Sequence, residues 1–407
     1  MRNGLTELRQ WRRGGALCVV GMVAGAISLS AGVGPAGAST HARSSRAHSV
    51  VSSATLASLK KTFDAAEAAP KFTAPGPAFN ASSAFGKSIV AFPASSQVPY
   101  CASTASDLGA IGGELGMKVT NVATTGDPTQ YSQGATEALQ QKASLAMMCA
   151  IQPSSLGPQL AALTKAGLPS IAGGLADTSV PAPKDVTAAT GVPLDLSSEL
   201  MADDAVLTNQ GKPFHVLVLT AYDLYGAQNQ TEAATNRLKA LCGSNCPITT
   251  INIPVADWAT KTSSEVSTAL TRDPKITAVL ALFDGMVPSM VSAAEGAHRS
   301  DLHIYTYGAA PGVVKLISST HGLVATDIGP GANWTAFSLM DQVLRATTHA
   351  KVLAPSVEYP PVRAWTVSNA SQRTSASAYG TAYESGFAKL WGLSGSKAKK
   401  VVGGNQP

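Results

Sequence analysis

The chain has 407 residues, 45% of them apolar and 14% charged, and carries a formal charge of +5. Residues 1–38 hold Arg2, Arg9, Arg12 and Arg13 against a single Glu7, so the remainder carries only +2, from 26 basic and 24 acidic residues, and no Arg occurs from Ala47 to Asn236. A chain so evenly charged, with no basic run interleaved with aromatics, lacks the electrostatic footprint of a nucleic-acid binder.

The four arginines precede a mostly apolar run from Ala16 to Ala31, and Ala36-Gly37-Ala38 supplies small residues before Ser39. This is the pattern of a secretory signal over residues 1–38. The run is short and rich in Gly and Ser for a membrane span of ~20 residues, and Cys18 stands at its head, where a lipid-anchored cysteine would not. An exported, extracytoplasmic protein is expected. Residues 39–86 form an N-terminal extension: polar to about Val50, then a leader helix over 54–68 marked by Leu56, Leu59, Phe63 and Ala66, ended by Pro70, Pro75 and Pro77.

From Ser88 short β-branched strands alternate with helical stretches. Strands are expected at 88–92, 118–123, 145–151 and 170–172, with helices at 102–115, 131–142 and 156–165 between them, a spacing that suits parallel crossovers. The pattern restarts after Thr187–Thr190. Helices at 196–209, 228–241, 261–271, 287–296 and 312–318 separate strands at 214–220, 248–253, 278–282 and 303–307. A strand at 323–327, a helix at 335–347, a strand at 362–367 and a closing helix at 376–393 follow. The fold class expected is α/β, with two doubly wound parallel-sheet lobes. The first lobe takes 87–190 and 330–358, the second 191–329 and 359–375, and 376–407 forms a C-terminal helix and tail.

Four cysteines lie beyond the signal. Cys242-Gly243-Ser244-Asn245-Cys246 is read as a local disulfide closing a helix-to-strand turn of an exported chain; Cys101 and Cys149 are left open. Motifs for nucleophilic, zinc-dependent or nucleotide chemistry (GxSxG, HExxH, GxxxxGK[ST]) are missing. Gly109, Gly112, Gly113 and Gly116 fall inside or at the end of a helix, where no amides are free to cradle a phosphate. The seven histidines form no i, i+3 or i, i+4 pair, so neither a metal nor another cofactor is expected.

Aromatics give the clearer signal. The chain has only 23 Phe, Trp and Tyr residues, yet Tyr100, Tyr222, Tyr225, Trp258, Phe283, Tyr307 and Trp334 all fall at or just past predicted strand ends. The carboxyl ends of parallel strands face the ligand crevice, and flat rings with polar tips suit a partly apolar solute. Cys101 and Asp284 fall in the same zone, and Gln152, Gln228, Gln230 and Asn333 add neutral hydrogen-bonding groups. No strand-end position holds Arg or Lys, the usual partners of carboxylate and phosphate ligands. A small neutral solute, sugar-like or aromatic, is the ligand expected.

These residues resemble the type I periplasmic-binding-protein superfamily, in particular ribose-binding-like solute receptors of ABC importers. The likeness rests on Pro99-Tyr100-Cys101 opening the first helix, Leu115-Gly116 closing it, and Gly126-Asp127-Pro128, Ile151-Gln152-Pro153, Ala166-Gly167-Leu168-Pro169, Ala256-Asp257-Trp258 and Phe283-Asp284 in order over residues 87–369. The resemblance implies lobes joined by three hinge segments near 189–192, 329–332 and 355–361, with a cleft that closes on its ligand. It places Tyr100 and Trp258 on opposite ligand faces, Phe283 where the family has Asn, Gln230 where it has a ligand-binding Arg, and Gly174 and Gly308 where sugar-binding members have Asp. Permease subunits are the partners it implies, for a monomeric receptor. The competing functions are a ligand sensor signalling to a membrane kinase and a secreted glycosidase. The glycosidase needs two carboxylates about 5–9.5 Å apart across the cleft, for which Asp223 and Asp284, both expected from one lobe, are the candidates.

Overall fold

The computed structural model describes residues 49–375 and 377–403; the signal expected over residues 1–38 lies outside the described residues. Helix α1 (Ser53–Ala66) is capped by Ser52, whose side chain accepts the Thr55 amide. It buries Leu59 and Phe63, two of the four residues that marked it in sequence.

The first sheet is built from β1 (Ser88–Pro93), α2 (Pro99–Glu114), β2 (Lys118–Asn121), α3 (Pro128–Gln140), β3 (Leu145–Cys149), α4 (Gly157–Lys165), β4 (Ser170–Asp177) and β5 (Ala188–Val192). Its strands run parallel in the order β2-β1-β3-β4-β5. Alternation along β1 shows why both faces are covered. Ile89 is the register partner of Val119 on β2 and shares its face, whereas Phe92 has the opposite parity. Gly112 of α2 lies against Val119, and Gly134 of α3 lies against Phe92, where a Cβ would sit 2.6 Å from the ring. Two helices therefore press on opposite faces, each through a glycine.

The second sheet follows with α5 (Leu194–Thr208), β6 (His215–Thr220), α6 (Ala227–Cys242), β7 (Ile248–Asn252), α7 (Trp258–Arg272), β8 (Ile276–Ala281), α8 (Val287–Gly296), β9 (His303–Tyr307), α9 (Pro311–Ser319) and β10 (Val324–Pro330). The chain then returns to the first lobe as α10 (Ala332–Thr348), which packs on α2, β4 and β5, and comes back as β11 (Val362–Trp365). The order is β11-β10-β9-β8-β6-β7. Strand β11 departs from the all-parallel expectation: it pairs antiparallel to β10, with Pro330 opposite Val362. The reason is connectivity. β10 ends toward the other lobe, and β11 starts where the chain re-enters from that lobe, so it must run the other way.

The chain thus passes between the sheets at 192–194, 330–332 and 349–361. The Gly191 amide donates to the Glu358 carbonyl at 3.0 Å, fastening the first passage to the third. The N-terminal extension spans both lobes: α1 packs on α5, and beyond it Phe79 and Ala81 donate to the carbonyls of Leu390 and Trp391. The closing helix expected over 376–393 is instead α11 (Ala382–Leu390) and α12 (Gly395–Gly403). Gly392, with φ +70°, ends the first of them. Several helices also start earlier than expected. Pro99, Pro128 and Pro311 each occupy the first helical turn, where their missing N–H costs nothing. No helix among the described residues is long and apolar enough to cross a membrane.

Candidate functional site

A cavity lies between the strand ends of the two sheets. The first lobe lines it with Val98, Tyr100, Cys101, Ala150 and Gly174; the second contributes Leu224, Tyr225, Gln230, Phe283, Asp284, Tyr307 and Gly308; Leu194 stands at the first passage between them. The walls nearly touch. About 30 Å³ of open volume remains between them, room for one or two waters. The lobes also meet beside it, where the six-membered ring of Trp258 and the Pro99 ring both close on Gly285.

Local structure explains each position. α2 begins at Pro99, so Tyr100 and Cys101 occupy its first turn at the end of β1. The Tyr100 hydroxyl donates to Thr335 Oγ1 on α10 at 3.1 Å, which fixes the ring against the backbone of Gly174. Gly174 itself has φ +61°, and a Cβ there would lie 3.0 Å from Tyr100 Cε1. Cys101 and Cys149 are free thiols, both buried, and the hydrogen bond with Cys149 together with burial pushes the Cys101 thiol well up. Cys242 and Cys246, far from the cavity in the α6–β7 turn, are joined by a disulfide with Cα atoms 5.7 Å apart.

On the opposite wall Asp284 follows β8. Its Oδ2 accepts the Ala310 amide at 2.9 Å, and its carboxyl occupies the space that a side chain at Gly308 would need. Burial pushes this carboxyl up to about 6, opposed by the Ala310 amide and by the Arg373 guanidinium. Behind it Asp327, fully buried, accepts the Ala309 amide at 2.8 Å, and burial with the nearby Asp284 charge raises it well above the usual carboxylate range. Arg373 donates to the Ala309 carbonyl at 2.7 Å. One cation therefore backs two acids and the peptide that joins them to the cavity. Gln230 is buried with its amide 3.5 Å from the Leu282 carbonyl.

Of the residues singled out in sequence, Tyr100, Cys101, Tyr225, Gln230, Phe283, Asp284 and Tyr307 converge on the cavity. Trp258 stands one layer back, stacked on Phe283 at 5.9 Å with its indole N–H donated to the Ile253 carbonyl at 3.0 Å. It supports a wall rather than forming one. Gln152, Tyr222 and Gln228 are exposed, the last donating to Glu232 at 2.6 Å. Trp334 stacks on Tyr383 at 4.4 Å, and Asn333 accepts that residue's hydroxyl, both away from the cavity. Asp223 is exposed, and its carboxylate accepts the Val255 amide. It follows β6 as Asp284 follows β8, so both candidate glycosidase acids belong to the second lobe.

Sequence reasoning missed Val98, Ala150, Leu194 and Leu224, because apolar residues at strand ends read as core. It also missed Arg373, which reaches the site from a loop beyond β11.

Residues 89–375 match the family described as Periplasmic binding protein domain. No curated protein matches the sequence. Among solved structures, an ABC sugar transporter subunit from Rhodobacter sphaeroides 2.4.1 is similar with a TM-score of 0.61 at 17% identity, covering 70% of this chain and 100% of its own. The Caulobacter myo-inositol binding protein bound to myo-inositol gives 0.61 at 16%, covering 70% and 95%. A 5-methylthioribose transporter solute binding protein from Thermotoga lettingae gives 0.61 at 13%, covering 78% and 98%. At these identities the likeness is one of fold.

Proposed function

This chain belongs to the periplasmic binding protein family, and from that premise we propose that it is an extracytoplasmic receptor that captures a small neutral solute between its lobes and presents it to the permease subunits of an ABC importer. The observation that carries this reading is the cavity lined from both sheets at their strand ends. Walls that belong to two lobes can part and close by rotation about the three passages, with the first lobe (87–190 and 330–358) moving against the second (191–329 and 359–375). Closure then reports occupancy to a membrane partner, and a monomer suffices for it. The names of two similar structures, an ABC sugar transporter subunit and a transporter solute binding protein, support the importer as the destination.

Two features support a neutral guest and a binding role. The lining has no Arg, Lys or Glu, and its one ionisable carboxyl, Asp284, is held by backbone amides. The other candidate acid, Asp223, does not line the cavity, so no facing pair is available for glycoside hydrolysis.

Phe283 is the wall residue whose loss is expected to be read most cleanly. It is half-buried and stacks on Trp258, which remains to hold the loop. Phe283→Ala is expected to weaken binding at least tenfold, about 1.4 kcal/mol, with the fold retained. Calorimetric titration with any solute that raises the melting temperature checks this; an unchanged Kd would place the ligand elsewhere.

A further inference from the structure

We infer that the solute is a planar, largely apolar ring carrying one or two hydrogen-bonding groups, a heteroaromatic compound rather than a polyol. The inference rests on the receptor reading above and adds the chemical class of its ligand.

The lining is divided sharply between apolar bulk and a small polar quarter. Val98, Ala150, Leu194, Leu224 and Phe283 have side chains of carbon alone. The two backbone positions without side chains offer no extra polar reach: the space over Gly174 is taken by the Tyr100 ring and that over Gly308 by the Asp284 carboxyl. Tyr100 contributes its ring and no donor, because its hydroxyl proton is given to Thr335. On the first lobe the Cys101 thiol is engaged with Cys149, and the strong hydrogen-bonding groups that remain are Asp284, the Gln230 amide and the phenols of Tyr225 and Tyr307, all of them on the second lobe.

A pentose or cyclitol carries a hydroxyl on nearly every ring carbon, and those turned toward the first lobe would lose water without gaining a partner. A heteroaromatic ring has the opposite distribution. Its faces ask only for carbon and rings on either side, and its polar atoms lie in one plane at the edge. A ring N–H directed at the Asp284 carboxyl would meet an acceptor already held in place by the Ala310 amide at 2.9 Å. The near contact of the walls points the same way. Any guest must part them, and a flat ring, about 3.5 Å from its neighbours on each face, parts them least.

The test is thermal shift followed by calorimetry on the purified protein with adenine, indole and nicotinamide, set against ribose, myo-inositol and choline. At least one planar ring is expected to raise the melting temperature and to bind tenfold or more tighter than every other probe, and Phe283→Ala is expected to lose that binding tenfold. Tighter binding of ribose or myo-inositol overturns the ring assignment and leaves the receptor reading standing. Choline as the tightest probe overturns both the ring and the neutrality of the guest. Stabilisation by none of the six overturns the ring assignment and leaves the receptor reading standing.

Discussion

Gly308→Ala is expected to destabilise the protein by about 3 kcal/mol or more and to abolish solute binding. Gly308 holds φ +145°, which a residue with a side chain reaches only under strain of about 1–3 kcal/mol. The added methyl would also fall within the Asp284 carboxyl, and overpacking of this kind costs about 1–3 kcal/mol more. Retreat is blocked from behind. Gly329 on β10 lies so close that a Cβ of its own would sit 2.7 Å from the Gly308 carbonyl carbon, and the Gly308 amide is tied to the Ile328 carbonyl at 3.1 Å. Asp284 must therefore move, and with it the polar quarter of the cavity. Urea denaturation and calorimetry on the same preparation check both parts; a wild-type midpoint with wild-type affinity would contradict the packing described.

Arg345→Ala is expected to cost about 3–5 kcal/mol, the range for stripping one partner from a buried ion pair. Arg345 and Asp341 are 1% and 0% exposed and joined at 2.6 Å. The guanidinium also donates to the carbonyls of Pro77 and Lys351 and lies 4.5 Å over the Phe79 ring, while the other Asp341 oxygen accepts the Trp391 indole N–H. One cation thus fastens the N-terminal extension, α10 and the end of α11 together. Buried Glu358 lies close to the same pair, and its carboxyl is raised by burial and by Asp341. Removing Arg345 leaves these acids without a counter-charge. Limited proteolysis should then cut residues 67–81 early, and Asp341→Asn combined with Arg345→Met should recover most of the loss. A loss below about 1 kcal/mol for Arg345→Ala, the scale of an exposed pair, would contradict this role.

Periodicity and turn residues carried most of the fold. Both sheets, their parallel sense and their alternation with helices were legible in the spacing of β-branched runs. What the pattern could not convey was direction after a long return: the antiparallel pairing of β11 depends on where α10 leaves the chain, a tertiary fact. Prolines at the first turn of α2, α3 and α9 fell outside the helical ranges read from apolar spacing, to which a first-turn proline adds nothing.

The site was legible in part, for a similar reason. Being at a strand end locates a residue within one loop but does not aim its side chain. Tyr222 and Tyr225 lie three residues apart after β6, yet the first is 44% exposed and the second lines the cavity. Trp258 was placed on the ligand face by resemblance and stands behind Phe283, because its indole N–H is satisfied within its own lobe. Arg373 could be found only through the backbone carbonyl it meets.

The central claim is that a single solute is gripped by both lobes at once. Hydrogen exchange, measured with and without a solute that stabilises the protein, tests it most directly. Slower exchange is predicted together at the start of α2 in the first lobe and across 224–230 and 283–285 in the second. Protection confined to one lobe, or falling on surfaces away from these strand ends, would contradict it.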